Sequence, residues 1–402
     1  MLNFIFSSEG FYSFVGFFNT CIYIHYNKWL VLVYFLERHG EALVSAFLVF
    51  EDGTMYEGTA RGAFKETVCE IVFNTSMTGY LEILTDPSYA GQGIVMTYPM
   101  IGNYGITRED FESIRFQPCA FIVHEICDNP SNFRCDIALE EALVEFGIPC
   151  LAGIDTRSIV KKLRGSGTMR GILTDDVSDM PRLFEKISSF SPSNLVESVS
   201  TTNKNIIGAD NSGYKIALMD FGAKRNIANS LAKKDCIITE YPHSTSAKEI
   251  LKGKPDGIVL SSGPGNPADC EDILKEIGEI ADSGIPIFAI GLGHQLLALS
   301  QGGKIEKMSH GHRGNSYPVK FLDKDRTYLS SQNHGFAVSS KDLPNGARAN
   351  CINVNDLSVE GLVYEGKPIL SVQFYPDASP GPHDTSFLFD EFLQIVKKGC
   401  AQ

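Results

Sequence analysis

KIALMDFGAKRNIANSLAKKDCIITEYP (215–242), SAKEILKGKPDGIVLSSGPGNP (246–267) and DILKEIGEIADSGIPIFAIGLGHQLLALSQGG (272–303) alternate short apolar runs with longer amphipathic ones. The apolar runs KIALMD, IITEYP, GIVL and PIFAI are too short for helices and close on Gly, Pro or Ser, which marks them as buried strands. The runs between them, AKRNIANSLAKK, SAKEILKG and DILKEIGEIADSG, have helical spacing, and GHQLLALSQGG reads as a further helix. Strand and helix in strict alternation, joined by short connections, predict an open, mostly parallel sheet with helices on both faces. Ligands in such sheets sit beyond the carboxyl ends of the strands. Two segments fall at such ends, SSGPGNP (261–267) and IGLGHQ (290–295).

The first is Gly-rich, and glycines let a backbone approach a ligand and offer free N–H donors. A plain strand-to-helix turn would look much the same. The second, within AIGLGHQLLAL (289–299), has the form of a nucleophile elbow, in which a strand ends in a strained residue and a helix follows. A thiol at the centre would be activated by the helix N-terminus behind it. The central residue here is Gly291.

Upstream, SAFLVFEDGTMYEG (45–58) reads as a hairpin turning at Asp52-Gly53. Mixed strands and short helices follow to about residue 200, and residues 191–213, rich in Ser, Thr, Asn and Gly, read as the connection. The expected division is an aromatic-rich extension at 1–45, a first domain at 46–200, a linker at 201–213 and a second domain at 214–402. In the extension, Asn19, His25, Asn27 and Lys28 interrupt the apolar residues, so no clean membrane span forms. Neither the basic start nor the small-residue cleavage site of a secretory signal is clear, and the first Arg is Arg38, unlike an Arg-rich mitochondrial presequence. Three readings stay open: an upstream translation artefact or strain-specific extension, an interfacial or partner-binding segment, and an anchor.

The 402 residues suit two or three domains, and 43% hydrophobic with 21% charged residues is an ordinary globular balance. A net charge of −13 disfavours nucleic acid or an anionic membrane surface as the main partner. The ten cysteines form no CxxC pair, so neither a zinc site nor a disulfide framework is expected, and a reducing compartment is the simplest setting.

Further strings complete a set: NTSMTGYLEILTDPSYAGQ (74–92), IGNYGI (101–106), IDTRSIVKKLR (154–164), DFGAKRNI (220–227), SQNHGFAV (331–338) and SVQFYPDASPGPHD (371–384). In this order they resemble the small subunit of carbamoyl phosphate synthetase, over nearly all of the chain past the first ~45 residues. Triad-type glutamine amidotransferases in general share only the second-domain strings. The resemblance implies an N-terminal small-subunit α/β domain followed by a class I glutamine amidotransferase domain. It also implies a cytoplasmic role in arginine and pyrimidine synthesis. Its implied partner is a large subunit that binds ATP and Mg and uses bicarbonate. No cofactor or metal is implied in this chain. The family releases ammonia from glutamine for carbamoyl phosphate synthesis.

Residue by residue, the resemblance places Gly291 at the family's nucleophile, Tyr375 at its base and Asp377 at its orienting acid. The family has Cys, His and Glu there. Glycine cannot attack, a phenol near pKa ~10 is a poor base at neutral pH, and the carboxylate has no imidazole left to orient. Of other residues able to stand in, Cys270 follows the first loop, His294 should point into its helix, and His334 should support the pocket. GHRGNSYPV (311–319) also departs, with Ser316-Tyr317 where the family reads Asn-His. The family's glutamine-binding positions match at Ser88, Gly263, Gly265, Leu292, Gln295, Asn333, Gly335 and Phe336, either as a working L-glutamine site or as retained scaffold. Lost glutaminase activity is therefore expected, with the Tyr375 ring filling the space left by Gly291. The alternatives are an altered copy of an ordinary glutamine-hydrolysing subunit and a non-catalytic glutamine-binding or sensor module.

Overall fold

In the computed structural model the described residues are 44–400, preceded by three short strands. Ile5–Phe6, Tyr12–Phe14 and Ile22–Ile24 pair in that order as a small antiparallel sheet. The side-chain readings made above for the extension, including its function as artefact, docking segment or anchor, lie outside the described residues.

Residues 45–402 form one compact unit. Its first half is built on the hairpin at Asp52-Gly53, where Gly53 takes φ +85° and Asp52 Oδ1 accepts from the Thr54 N–H at 3.0 Å. Ser45–Phe50 pairs antiparallel with Met55–Gly62 in the register Ser45 to Thr59 and Val49 to Met55. The sheet does not stay open. It runs Pro149–Ala152, Met55–Gly62, Ser45–Phe50, Met169–Thr174, Thr67–Asn74, Gln92–Met96, Ala120–Ile122, and the last strand returns to pair with the first as a closed barrel.

Alternate residues of these strands turn inward. Leu48, Phe50, Cys69, Ile71, Val95, Ala120, Ile122 and Leu151 fill the barrel. Their neighbours Val72, Ile94, Met96, Phe121 and Cys150 face outward under Tyr80–Thr85 and Leu139–Glu145. The space inside is tight. A Cβ on Gly93 would stand 2.6 Å from Cys69 Sγ, so any side chain at that strand position would force the Cys69 thiol to shift.

The second half matches the alternation read from residues 215–303. Ile237–Pro242, Lys215–Asp220, Gly257–Leu260, Ile287–Ile290 and Ile369–Val372 lie side by side, all parallel. Ala247–Lys252, Glu271–Asp282 and Leu292–Ser300 cover one face through Ile250, Ile277, Ile280 and Leu296. Arg225–Ala232 and Phe387–Cys400 cover the other through Ile227, Leu231, Phe389 and Phe392. Beyond Ile369–Val372 the sheet continues antiparallel through Val359–Tyr364, the long pair Arg326–Val338 and Ile305–Phe321, and Ala347–Asn353.

The expected linker at 201–213 is not wholly irregular. Asn205–Ile207 adds an antiparallel edge strand against Ile237–Pro242. Among the described residues no helix is long and apolar enough to cross a membrane.

The two halves are joined by polar contacts around the mouth of the parallel sheet. Thr75 N–H donates to Arg313 O at 3.1 Å, Thr168 N–H to Ser309 O at 3.0 Å, and Arg225 N–H to Glu112 O at 2.8 Å.

Candidate functional site

The carboxyl ends of Gly257–Leu260, Ile287–Ile290 and Ile369–Val372 open into a cavity of about 960 Å³ between the halves. Its lining includes Ser88, Gly263, Gly265, Gly291, Leu292, Gln295, Asn333, Gly335, Phe336 and Tyr375, so it gathers every expected glutamine-binding position with two of the three triad positions. Asp377 is not part of the lining.

Gly291 sits at φ +58°, ψ −114°, between the strand and the helix Leu292–Ser300. This is backbone that glycine adopts readily and other residues adopt only under strain. The elbow is therefore formed, but it carries no side chain. A Cβ built there would have Ser262 Cβ at 3.2 Å, Ser262 Cα at 3.4 Å and Gln373 O at 3.8 Å as its nearest neighbours. The Tyr375 ring is not one of these three, although Tyr375 lines the same cavity.

The Tyr375 side chain reaches the barrel half. Its hydroxyl reaches Ser88 Oγ at 2.9 Å and donates to Asp86 Oδ2 at 3.1 Å. Its ring lies over the Lys224 ammonium at 4.4 Å from the centroid. Burial, with the Asp86 carboxylate beside it, holds the phenol well above its ordinary range. It cannot take up a proton as a base at neutral pH.

Asp377 has found a cation in place of an imidazole. Its Oδ2 accepts from Lys224 Nζ at 2.8 Å, and both side chains are fully buried. Burial works to lower the Lys224 pKa, but Asp377, Glu112 and Asp86 outweigh it and the net shift is upward, so the lysine keeps its proton. Nearby Glu112 is pushed up to about 7 by burial, against the pull of Lys224. It accepts from the Asn226 N–H at 2.9 Å.

None of the other nucleophile or base candidates is poised to act. Cys270 lies outside the lining, and burial pushes its thiol up to about 11. His294 is wholly buried, with Nδ1 2.7 Å from Ser371 Oγ, and burial pushes it down to about 3. His334 touches the cavity, but Phe336 O at 2.8 Å and Gln332 Oε1 at 3.0 Å engage its nitrogens. Burial holds it well below the usual imidazole range. It fits the supporting role expected of it.

Among the described residues, His312, His334 and Glu360 are the group whose ligand atoms come within 4.8 Å of one another. The imidazole nitrogens are already hydrogen-bonded, His312 with Glu360 Oε1 at 3.2 Å and Asp356 Oδ2 at 2.9 Å, while Glu360 Oε2 has no partner.

Several residues of the site lay outside the sequence reading. Ser262, Gln373 and Arg313 line the cavity, and each carries a buried atom without a hydrogen-bond partner: Ser262 Oγ, Gln373 Nε2 and Arg313 Nε. All three stand inside strings already singled out, SSGPGNP, SVQFYPD and GHRGNSYPV, yet nothing in a string shows which way a side chain turns. The Tyr317 departure also gains a physical account. Its ring packs on His312 with centroids 4.8 Å apart, and its hydroxyl accepts from the Arg313 N–H at 3.2 Å, which steadies the cavity wall.

Two family models match this sequence: carbamoyl-phosphate synthase small chain, CPSase domain, over residues 48–173, and glutamine amidotransferase class-I over residues 217–395. The carbamoyl phosphate synthase small chain of Clostridium perfringens is 46% identical over 353 residues, spanning 88% of this chain and 100% of that one. That of Oceanobacillus iheyensis is 46% identical over 352 residues, 87% of this chain and 95% of that one. That of Lactococcus lactis subsp. lactis is 44% identical over 350 residues, 87% and 97% respectively.

Proposed function

Since the chain belongs to the carbamoyl phosphate synthase small chain family, we propose that it serves as a small chain that no longer hydrolyses glutamine. It docks on a large subunit in the cytoplasm and supports carbamoyl phosphate synthesis from free ammonia, bicarbonate and ATP. The large subunit holds the ATP and Mg. The observation that carries this reading is the intact elbow with nothing on it: Gly291 keeps the strained nucleophile backbone but has no atom that could attack an amide.

The rest of the chemistry fails for independent reasons. Tyr375 holds its proton, and its hydroxyl is committed to Asp86 and Ser88. Asp377 is committed to Lys224. A general base and its orienting acid must lie in one hydrogen-bonded line with the nucleophile, and here no such line exists. An altered copy of an ordinary subunit is disfavoured by this same pattern. The substituted groups have partners of their own, whereas a single damaged position would leave the remaining triad members facing each other.

The direct test is glutamate and ammonia release from glutamine by the isolated chain. The reading requires a rate at least about a thousandfold below that of a Cys-His-Glu small chain, since both nucleophile and base are missing. A rate within tenfold of such a chain would sink it.

A further inference from the structure

Three neighbouring strands bring two imidazoles and a carboxylate together beside the cavity. His312 on Ile305–Phe321 is the register partner of His334 on Arg326–Val338, so both side chains leave the sheet on one face. A register shift between Lys307 and His312, with Gly311 at φ +66°, precedes that position. Val359–Tyr364, paired with Arg326–Val338, adds Glu360. One ligand atom from each of the three residues lies within 4.8 Å of the others, and all three residues are buried.

The group is rich in acceptors. A neutral imidazole has one N–H and one lone pair. With the His312 proton on Nε2, 2.9 Å from Asp356 Oδ2, the Nδ1 lone pair meets Glu360 Oε1 at 3.2 Å. With the His334 proton on Nδ1, 2.8 Å from Phe336 O, the Nε2 lone pair meets Gln332 Oε1 at 3.0 Å. Gln332 Nε2 is itself engaged with Ser330 Oγ at 3.0 Å. Two imidazolium rings with centroids 5.0 Å apart would repel, so protons cannot answer both contacts. Asn353 Nδ2 donates to Glu360 Oε1 at 3.1 Å and lies 3.3 Å from His312 Nδ1, yet Glu360 Oε2 stays buried with no partner. Lone pairs gathered around a buried carboxylate call for a cation.

We propose that His312, His334 and Glu360 bind a zinc ion. Two imidazoles and a carboxylate suit zinc in ligand type and number. Asp356 and Phe336 O each hold one nitrogen of a ligand ring, the outer-shell arrangement that fixes tautomer and orientation. A second cavity of about 280 Å³ borders His312 and Asp356 and gives an ion its way in. The ion would tie the three strands together.

The test is calorimetric titration of the chelator-treated full chain with zinc chloride at neutral pH, with a parallel cobalt(II) titration followed by absorption. One zinc ion per chain is expected, with a Kd below about 10 μM. Glu360→Gln and Asp356→Asn should each weaken it by about tenfold or more. The Asp356 side chain is 44% exposed, so that variant disturbs the core least, and circular dichroism shows which variants stay folded. Cobalt(II) should give the visible bands of a nitrogen and oxygen site without a thiolate band. Weaker zinc binding, an affinity unchanged in either folded variant, or a thiolate band showing that cysteines hold the metal would overturn the inference.

Discussion

Lys224 and Asp377 form a fully buried ion pair at 2.8 Å, where the family's resemblance led to an expectation of an acid with nothing to orient. Lys224 also donates to Ala378 O at 2.8 Å and carries the Tyr375 ring over its ammonium. Removing one partner of such a pair leaves an uncompensated charge, at a cost of about 3–5 kcal/mol. Lys224→Met is therefore expected to lower the urea midpoint strongly with little change in the slope, and a midpoint within error of the parent would show that the pair contributes nothing net. At Gly291 the backbone limits what can be restored. Any side chain there meets Ser262 Cβ at 3.2 Å on a conformation that disfavours it, a cost of about 1–3 kcal/mol. Gly291→Cys with Tyr375→His is expected to bring back measurable glutamine hydrolysis. Adding Asp377→Glu should raise it further, because Asp377 is one methylene short and held by Lys224. No gain in the triple variant over the double would show that the acid position is not limiting.

At the scale of elements, the segment around Glu112 meets the start of the helix Arg225–Ala232 through Arg225 N–H to Glu112 O and Asn226 N–H to its carboxylate. Glu112 is 5% exposed, and burial raises its pKa to about 7 from an ordinary 4.5. The native state thus binds the proton more tightly than the unfolded chain between about pH 4.5 and 7. Stability falls as pH rises through that window, by about 3 kcal/mol at most, and levels off above it. Glu112→Gln cannot ionise. Its melting temperature relative to the parent is expected to climb from pH 5 to pH 8, and a difference that stays flat across that range would contradict the assignment.

The same scale shows what the sequence could tell. The alternation at 215–303 and the turn at Asp52-Gly53 are local patterns, and both are found where expected. Barrel closure is not local. It depends on Ser45–Phe50 pairing with Met169–Thr174 and on Pro149–Ala152 pairing with Ala120–Ile122, and no string of residues carries that information. The edge strand Asn205–Ile207 was hidden for another reason, since its polar surroundings read as a linker.

Over the whole molecule, the site exists because two halves meet. Ser88 and Asp86 come from the barrel half, while Gly291, Gln373 and Tyr375 come from the ends of the parallel strands. The strings made the positions legible and the residue types at Gly291 and Tyr375 made the chemical loss legible. The hydrogen bonds of Tyr375 to Asp86 and Ser88, across the two halves, needed the fold.

The most direct measurement is carbamoyl phosphate formation by this chain with a cognate large subunit, fed glutamine and ammonium salt in parallel. The account predicts synthesis with ammonium and none above background with glutamine. Robust synthesis with glutamine would contradict it, because ammonia would then be released by a nucleophile other than the residue at position 291.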